Sequence, residues 1–208
     1  MSDSEKILVI GAGVCGTTVA RGLEANGYLV SVVDKGRGAG GRLSTRRTDE
    51  GPFNHGAPSF LMAPESAELA IWREASLIDT RDDSEACMVI PKASMNALLK
   101  ALQVGLTIRF GVRVTGLILA DTMCAAQSTE GILDGYSAVV LAIPAPQASA
   151  LLPGHSELRS SLGDIEYRPQ WTIMHSHDVA APISGEHPDV EKVVRTASGT
   201  CAYLTHSA

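Results

Sequence analysis

A strand, a glycine-rich turn, a helix, a second strand and an acid follow one another in the first 34 residues, and nothing later constrains the fold as tightly. The apolar run Ile7-Leu8-Val9-Ile10 leads straight into Gly11-Ala12-Gly13-Val14-Cys15-Gly16. A helical stretch to Asn26-Gly27 follows, then the apolar run Leu29 to Val33, and Asp34 stands eighteen residues beyond the third glycine. This is the spacing of a βαβ dinucleotide fingerprint. Gly11 permits the tight turn out of the strand, Gly13 lets the backbone approach a pyrophosphate, and Gly16 allows close packing of helix on strand. A helix starting near Val14 turns its free N–H groups and positive dipole end toward the phosphates. Asp34 is placed to accept hydrogen bonds from an adenosine ribose. The alternative is a structural turn with no ligand; the completeness of the βαβ unit weighs against it.

Past Asp34, residues 35–47 read KGRGAGGRLSTRR. Consecutive glycines expose backbone N–H groups and the arginines add charge-assisted donors, so this segment reads as a second anion-binding surface. Arg42, Arg46 and Arg47 are then phosphate or cofactor contacts; a basic solvated loop is the competing reading.

Composition narrows the partners. A net charge of −6 over 208 residues argues against non-specific nucleic-acid binding. No apolar run approaches the roughly 18 residues that would span a bilayer. The polar start, Met1 to Lys6, is neither a secretory signal nor a transit peptide, so a cytoplasmic protein is expected. Cys15, Cys87, Cys124 and Cys201 form no CxxC pair and read as reduced thiols. No metal site is expected: His175 and His177 alternate along a strand-like run, and two histidines alone are more often strand residues than ligands.

Further along, the pattern predicts a helix from Glu65 to Ala75, a strand from Glu85 to Ile90, and a helix opened by Pro91 with Met95, Leu98, Leu99 and Leu102 on one side. Strands are expected over Leu106–Phe110 and Arg113–Leu119, broken by Gly111. Ser137 to Ile143 reads as a parallel strand buried on both faces, with Pro144-Ala145-Pro146 ending it and a helix running through Leu152. Weaker strands are expected over Trp171–His177 and Lys192–Leu204.

The glycine fingerprint, the Gly36–Arg42 loop, the Asn54-His55-Gly56-Ala57 turn and the Val139–Gln147 strand end occur in one order. That order resembles the renalase-like branch of the FAD-dependent amine-oxidase superfamily. The resemblance implies an α/β fold: an FAD/NAD(P)-binding Rossmann-like three-layer domain formed by residues 1–60 and 91–150, and an incomplete α+β substrate domain formed by 61–90 and 151–208. It implies FAD as cofactor. Gly11, Gly13 and Gly16 would meet the pyrophosphate and Asp34 the adenosine ribose, with Ala12, Val14, Cys15 and Lys35 also among the cofactor-binding residues. Gly40, Gly41 and Arg42 would close over the ribityl chain. Val114 would meet adenine through its backbone, Ala142 and Pro144 would run beneath the phosphates, and His55, Gly56 and Ala57 would lie near the flavin ring.

The implied activity is transfer of a hydride from a small reduced donor, such as an isomeric NAD(P)H or an amine, to flavin, with oxygen as the final acceptor. His55 is the one candidate for a catalytic side chain. Lys92 is placed near the substrate by analogy, and Trp171 and Tyr203 could line its pocket. Three departures stand out: Pro58-Ser59 replaces a glutamine–aromatic pair before Phe60, the stretch from Phe60 to Pro91 is short, and family members continue past the position of Ala208. The alternative function is a truncated or degenerate dinucleotide-binding protein with little turnover; a nicotinamide-dependent reductase is a third reading.

Overall fold

A computed structural model describes residues 5–49, 51–82, 85–120, 123–154, 156–167, 170–175, 190–196 and 199–205. The elements run β1 (Lys6–Ile10), α1 (Val14–Ala25), β2 (Leu29–Asp34), a 3-10 turn (Gly41–Leu43), β3 (Thr45–Thr48), β4 (Gly51–Asn54), β5 (Phe60–Met62) and α2 (Ala67–Glu74). Then come β6 (Ile78–Asp82), β7 (Cys87–Pro91), α3 (Met95–Gln103), β8 (Ile108–Phe110), β9 (Val114–Leu119), β10 (Cys124–Ser128) and β11 (Gly131–Tyr136). The chain closes with β12 (Ala138–Leu141), α4 (Ala145–Leu151), α5 (Glu157–Gly163), β13 (Gln170–His175), β14 (Val190–Thr196) and β15 (Gly199–Thr205).

The chain forms two compact units, Met1–Gly41 with Leu102–Glu166 and Arg42–Ala101 with Tyr167–Ala208. These limits differ from the 60, 90 and 150 suggested by the sequence. The reason is a small polar knot. Thr45 Oγ1 donates to Asn54 Oδ1, which also accepts the Met95 N–H, while Asn96 N–H donates to Thr45. The β3–β4 hairpin is thereby tied to the start of α3, and both fall in the second unit.

The first unit is Rossmann-like, an α/β domain built on a four-stranded parallel sheet of order β12-β1-β2-β8. Side chains of a strand alternate between faces, and β1 supplies both cores by that rule. Leu8 and Ile10 join Val33, Val112, Ala126 and Leu133 on one side. Val9 joins Ala20 of α1, Val30 and Val32 on the other. The result is three layers: α1, the parallel sheet, and the antiparallel sheet β11-β10-β9. Its β9 matches the strand expected over Arg113–Leu119, but β10 and β11 were not foreseen, since Cys124 to Tyr136 has no strong apolar alternation. β12 is parallel as expected but only half-buried, because it is the edge strand rather than a central one.

In the second unit, α3 buries Met95, Leu98 and Leu99 completely. Pro91 does not open that helix; it ends β7, and α3 begins four residues later at Met95. Trp72 of α2 is also fully buried, donates its indole N–H to the Leu98 carbonyl at 2.9 Å and meets Phe60 edge-on. β3 and β4 pair as a further hairpin and β6 pairs antiparallel with β7, in stretches where no strand was expected. The 192–204 run is two strands, β14 and β15, paired antiparallel. His177 lies outside the described residues, as do the side chains of His175, Trp171, Tyr203 and Cys201. Among the described residues no helix is long and apolar enough to cross a membrane.

Candidate functional site

In the first unit, the chain leaves β1 through Gly11, whose φ of +106° is open to glycine and strained for other residues. Its N–H is held by the Val33 carbonyl, so the turn sits directly on β2. α1 then starts with Gly13 as its N-cap. No side chain caps it, and no acid stands in its first turn. In an α-helix the first N–H groups have no intrahelical acceptor, so those of Val14, Cys15 and Gly16 are presented at the front of α1 for an external anion. The first helical bond is Thr17 N–H to the Gly13 carbonyl, at 2.9 Å.

The glycines of the turn differ in their surroundings. A Cβ at Gly16 would lie 1.8 Å from the Gly11 carbonyl oxygen, so helix and turn touch backbone to backbone. A Cβ at Gly13 would meet nothing within 4 Å, which leaves open space beside the loop. The second glycine segment closes on the first: a Cβ on Gly41 would stand 3.7 Å from Gly13 Cα. Ala142, just past β12, donates its N–H to the Ile10 carbonyl at 2.8 Å and lies against Gly11. Pro144 follows as the N-cap of α4. Ala142 and Ile143 thus lie against the glycine turn.

Asp34 is already engaged. Oδ2 accepts the Ala12 N–H at 2.7 Å and Oδ1 accepts the Gly36 N–H at 2.6 Å. Its carbonyl takes the Val112 N–H, and Gly36 takes that of Gly111, so the segment leading to Val114 is fastened beside Asp34. Val114 itself packs against the core beside Leu8 and Val33. Lys35 turns away to Gln147, donating to Oε1 at 2.9 Å. Gly40 is half-buried, and Cys15 is exposed and free.

The remaining candidates belong to the second unit. Arg42 is exposed; its carbonyl accepts the Ala57 N–H at 2.7 Å, and a Cβ on Gly56 would collide with it at 2.3 Å. The His-Gly-Ala turn is therefore seated on the 42–44 backbone. His55 is held between that turn and the buried Asn54, and its carbonyl accepts a bond from Thr172. Its Nδ1 is buried with no hydrogen-bond partner among the described residues. Arg46 and Arg47 are exposed residues of β3 rather than part of the glycine loop. Lys92 makes a 3.6 Å surface pair with Asp79.

Two site residues were missed by sequence reasoning. Gln103, at the end of α3 and in the first unit, donates Nε2 to the Ala12 carbonyl at 2.9 Å and to Thr17 Oγ1 at 3.4 Å. Thr17 is fully buried. A polar residue just after the third glycine, on the inward side of α1, was the available signal; Gln103 offered none. No group of three or more potential metal ligands occurs among the described residues.

With this geometry in place, comparisons with known proteins agree on the fold. Residues 9–74 match a family model described as an NAD(P)-binding Rossmann-like domain. A fatty acid isomerase from P. acnes that produces CLA is similar at a TM-score of 0.80 and 11% identity, over 100% of this chain and 78% of that one. A protein from Exiguobacterium sp. 255-15 assigned as a protoporphyrinogen oxidase is similar at 0.67 and 12% identity, over 97% and 77%. BexE, studied for oxidation in BE-7585A biosynthesis, is similar at 0.61 and 15% identity, over 97% and 43%. At such identities the likeness is one of fold.

Proposed function

We propose that the first unit binds the ADP part of FAD and that the chain is a flavin-dependent oxidoreductase of the renalase-like, amine-oxidase type. The observation that carries the nucleotide half is the bare front of α1 beside a second glycine segment, where a Cβ on Gly41 would stand 3.7 Å from Gly13 Cα. That cradle suits a diphosphate: it has open space at Gly13, helix N–H groups without an intrahelical acceptor and no acid in the first turn of α1. Asp34 keeps lone pairs for ribose hydroxyls after accepting two backbone N–H groups. When bound, the cofactor supplies the redox chemistry: acceptance of a hydride from a small reduced donor, such as an isomeric NAD(P)H or an amine, and return of electrons to oxygen.

The part of the chain in this reaction is binding and orientation. Hydride removal from an activated donor needs no general base if the donor is well oriented, so no catalytic acid or base is assigned. Arg42, His55, Gly56 and Ala57 enter the proposal on the sequence resemblance alone, as do the donor class and the cytoplasmic setting. The description of two similar structures in terms of oxidation supports redox chemistry on this fold.

The test is to purify the full chain, release its small molecule by heat and identify it by mass spectrometry, alongside the visible absorbance of the protein. FAD and a yellow protein are the expected result. NAD(P) in its place would favour a nicotinamide-dependent reductase. A colourless protein that binds ADP but no flavin would leave a dinucleotide-binding protein without oxidase chemistry.

A further inference from the structure

The Ala12 peptide is gripped from both sides. Its N–H goes to Asp34 Oδ2 at 2.7 Å, and its carbonyl receives Gln103 Nε2 at 2.9 Å, with the Thr17 hydroxyl behind it at 3.5 Å. Gln103 also donates to that hydroxyl. Its own backbone is anchored nearby, since Arg21 of α1 donates to the carbonyls of Leu102 and Val104 on either side. Ala12 is itself buried, so its carbonyl has to find its partners inside the protein, and an amide side chain and a fully buried hydroxyl supply them.

The consequence lies in the next peptide atom. In a trans peptide the carbonyl and the following N–H point in opposite directions, and no cis bond occurs among the described residues. A carbonyl of Ala12 held by Gln103 and Thr17 therefore turns the Gly13 N–H the opposite way, off the side that Gln103 and Thr17 occupy. We infer that Gln103 is a positioning residue for the anion-binding loop: by holding the Ala12 carbonyl it aims the Gly13 N–H at the diphosphate. This rests on the reading of the loop as a diphosphate site, and it adds a residue from the far end of α3, remote in sequence, to the fingerprint.

The assignment separates from ordinary structural support by ligand. The full chain, freed of bound nucleotide, is titrated calorimetrically with ADP and with adenosine, as parent, Gln103→Met and Gln103→Glu. Methionine keeps the volume and removes the donor; glutamate sets a carboxylate against the carbonyl. A hydrogen-bond-sized loss, about threefold to tenfold in Kd, is expected for ADP with Met and a larger one with Glu, while adenosine affinity stays within about twofold because it has no phosphate to meet the loop. The Gly13 amide resonance should shift in both variants without ligand. Equal losses for ADP and adenosine, an unmoved Gly13 resonance, or variants that fail to fold would overturn the assignment and make Gln103 a packing residue. A parent that binds ADP no better than adenosine would instead overturn the diphosphate site, and this inference with it; the parent titration alone tells the two failures apart.

Discussion

The backbone N–H of Ala12 donates to Oδ2 of Asp34 at 2.7 Å across twenty-two residues, joining the glycine turn to the end of β2. The second carboxylate oxygen holds the Gly36 N–H at 2.6 Å. Sequence spacing marks Asp34 only as a ribose ligand; the structure makes it a clamp on the loop as well. An ionised carboxylate has about four lone-pair sites, so the two uses are compatible.

Asp34→Ala should therefore weaken stability as well as binding. It strands two N–H groups, one on each flank, and hydrogen bonds to a charged group are worth about 1.5–3 kcal/mol each. The expected outcome is a melting temperature lower by several degrees together with a weaker ADP affinity, and Asp34→Asn, which keeps one oxygen acceptor, should fall between. Thermal denaturation and calorimetric titration read the two effects separately. A variant that melts with the parent would remove the clamp.

Gly16 and Gly13 of the fingerprint should respond differently to a side chain. Gly16→Ala puts a methyl 1.8 Å from the Gly11 oxygen, backbone against backbone, where nothing can yield cheaply. It should unfold the first unit or cost several kcal/mol, as overpacking and backbone displacement do. Gly13→Val meets open space and should fold with a loss of about 1 kcal/mol, the ordinary cost of a poor N-cap, yet lose ADP binding. Soluble yield, circular dichroism and titration distinguish the pair. ADP affinity retained in Gly13→Val would show that the ligand sits elsewhere.

The first unit was legible in the sequence because its signals are local. The strand, turn, helix, strand and acid lie within 34 residues, and α1, β1, β2 and the partner strand β12 stand close to where they were read. What escaped depends on long-range pairing. The edge position of β12 follows from strand order, which no local pattern encodes. The β3–β4 hairpin hides in a polar, arginine-rich run, held by Thr45, Asn54 and the α3 N-terminus rather than by apolar alternation. Gln103 is ninety-one residues from Ala12, and its part in the site is visible only in three dimensions.

His55 offers a test of a buried orphan. Its Nδ1 is shielded from solvent without a hydrogen-bond partner among the described residues, and such a group costs about 1–3 kcal/mol relative to a satisfied one. His55→Phe removes the nitrogen and keeps a flat ring. Without ligand, the variant should melt no lower than the parent, against the usual loss of about 1 kcal/mol for a substitution. Differential scanning calorimetry of the two proteins decides it. A clear drop would mean that Nδ1 is satisfied within the folded chain, by ordered water for instance.

The second unit should be far more sensitive at Trp72 than at Lys92, although the family analogy drew attention to the lysine. Trp72 is fully buried, stands edge-on to Phe60 with ring centres 5.8 Å apart, and donates to the Leu98 carbonyl. Trp72→Ala loses the ring burial, the aromatic pairing and the donor together, for a cost of about 3–5 kcal/mol. Lys92 pairs with Asp79 at 3.6 Å, but the two side chains are 47% and 70% exposed. Solvent screening reduces such a pair to under about 1 kcal/mol, so Lys92→Ala should shift the urea midpoint little. Because burial, rather than charge, sets the ranking, raising the salt concentration should leave the gap between the two variants nearly unchanged. A gap that closes with salt would show that electrostatics holds this unit together.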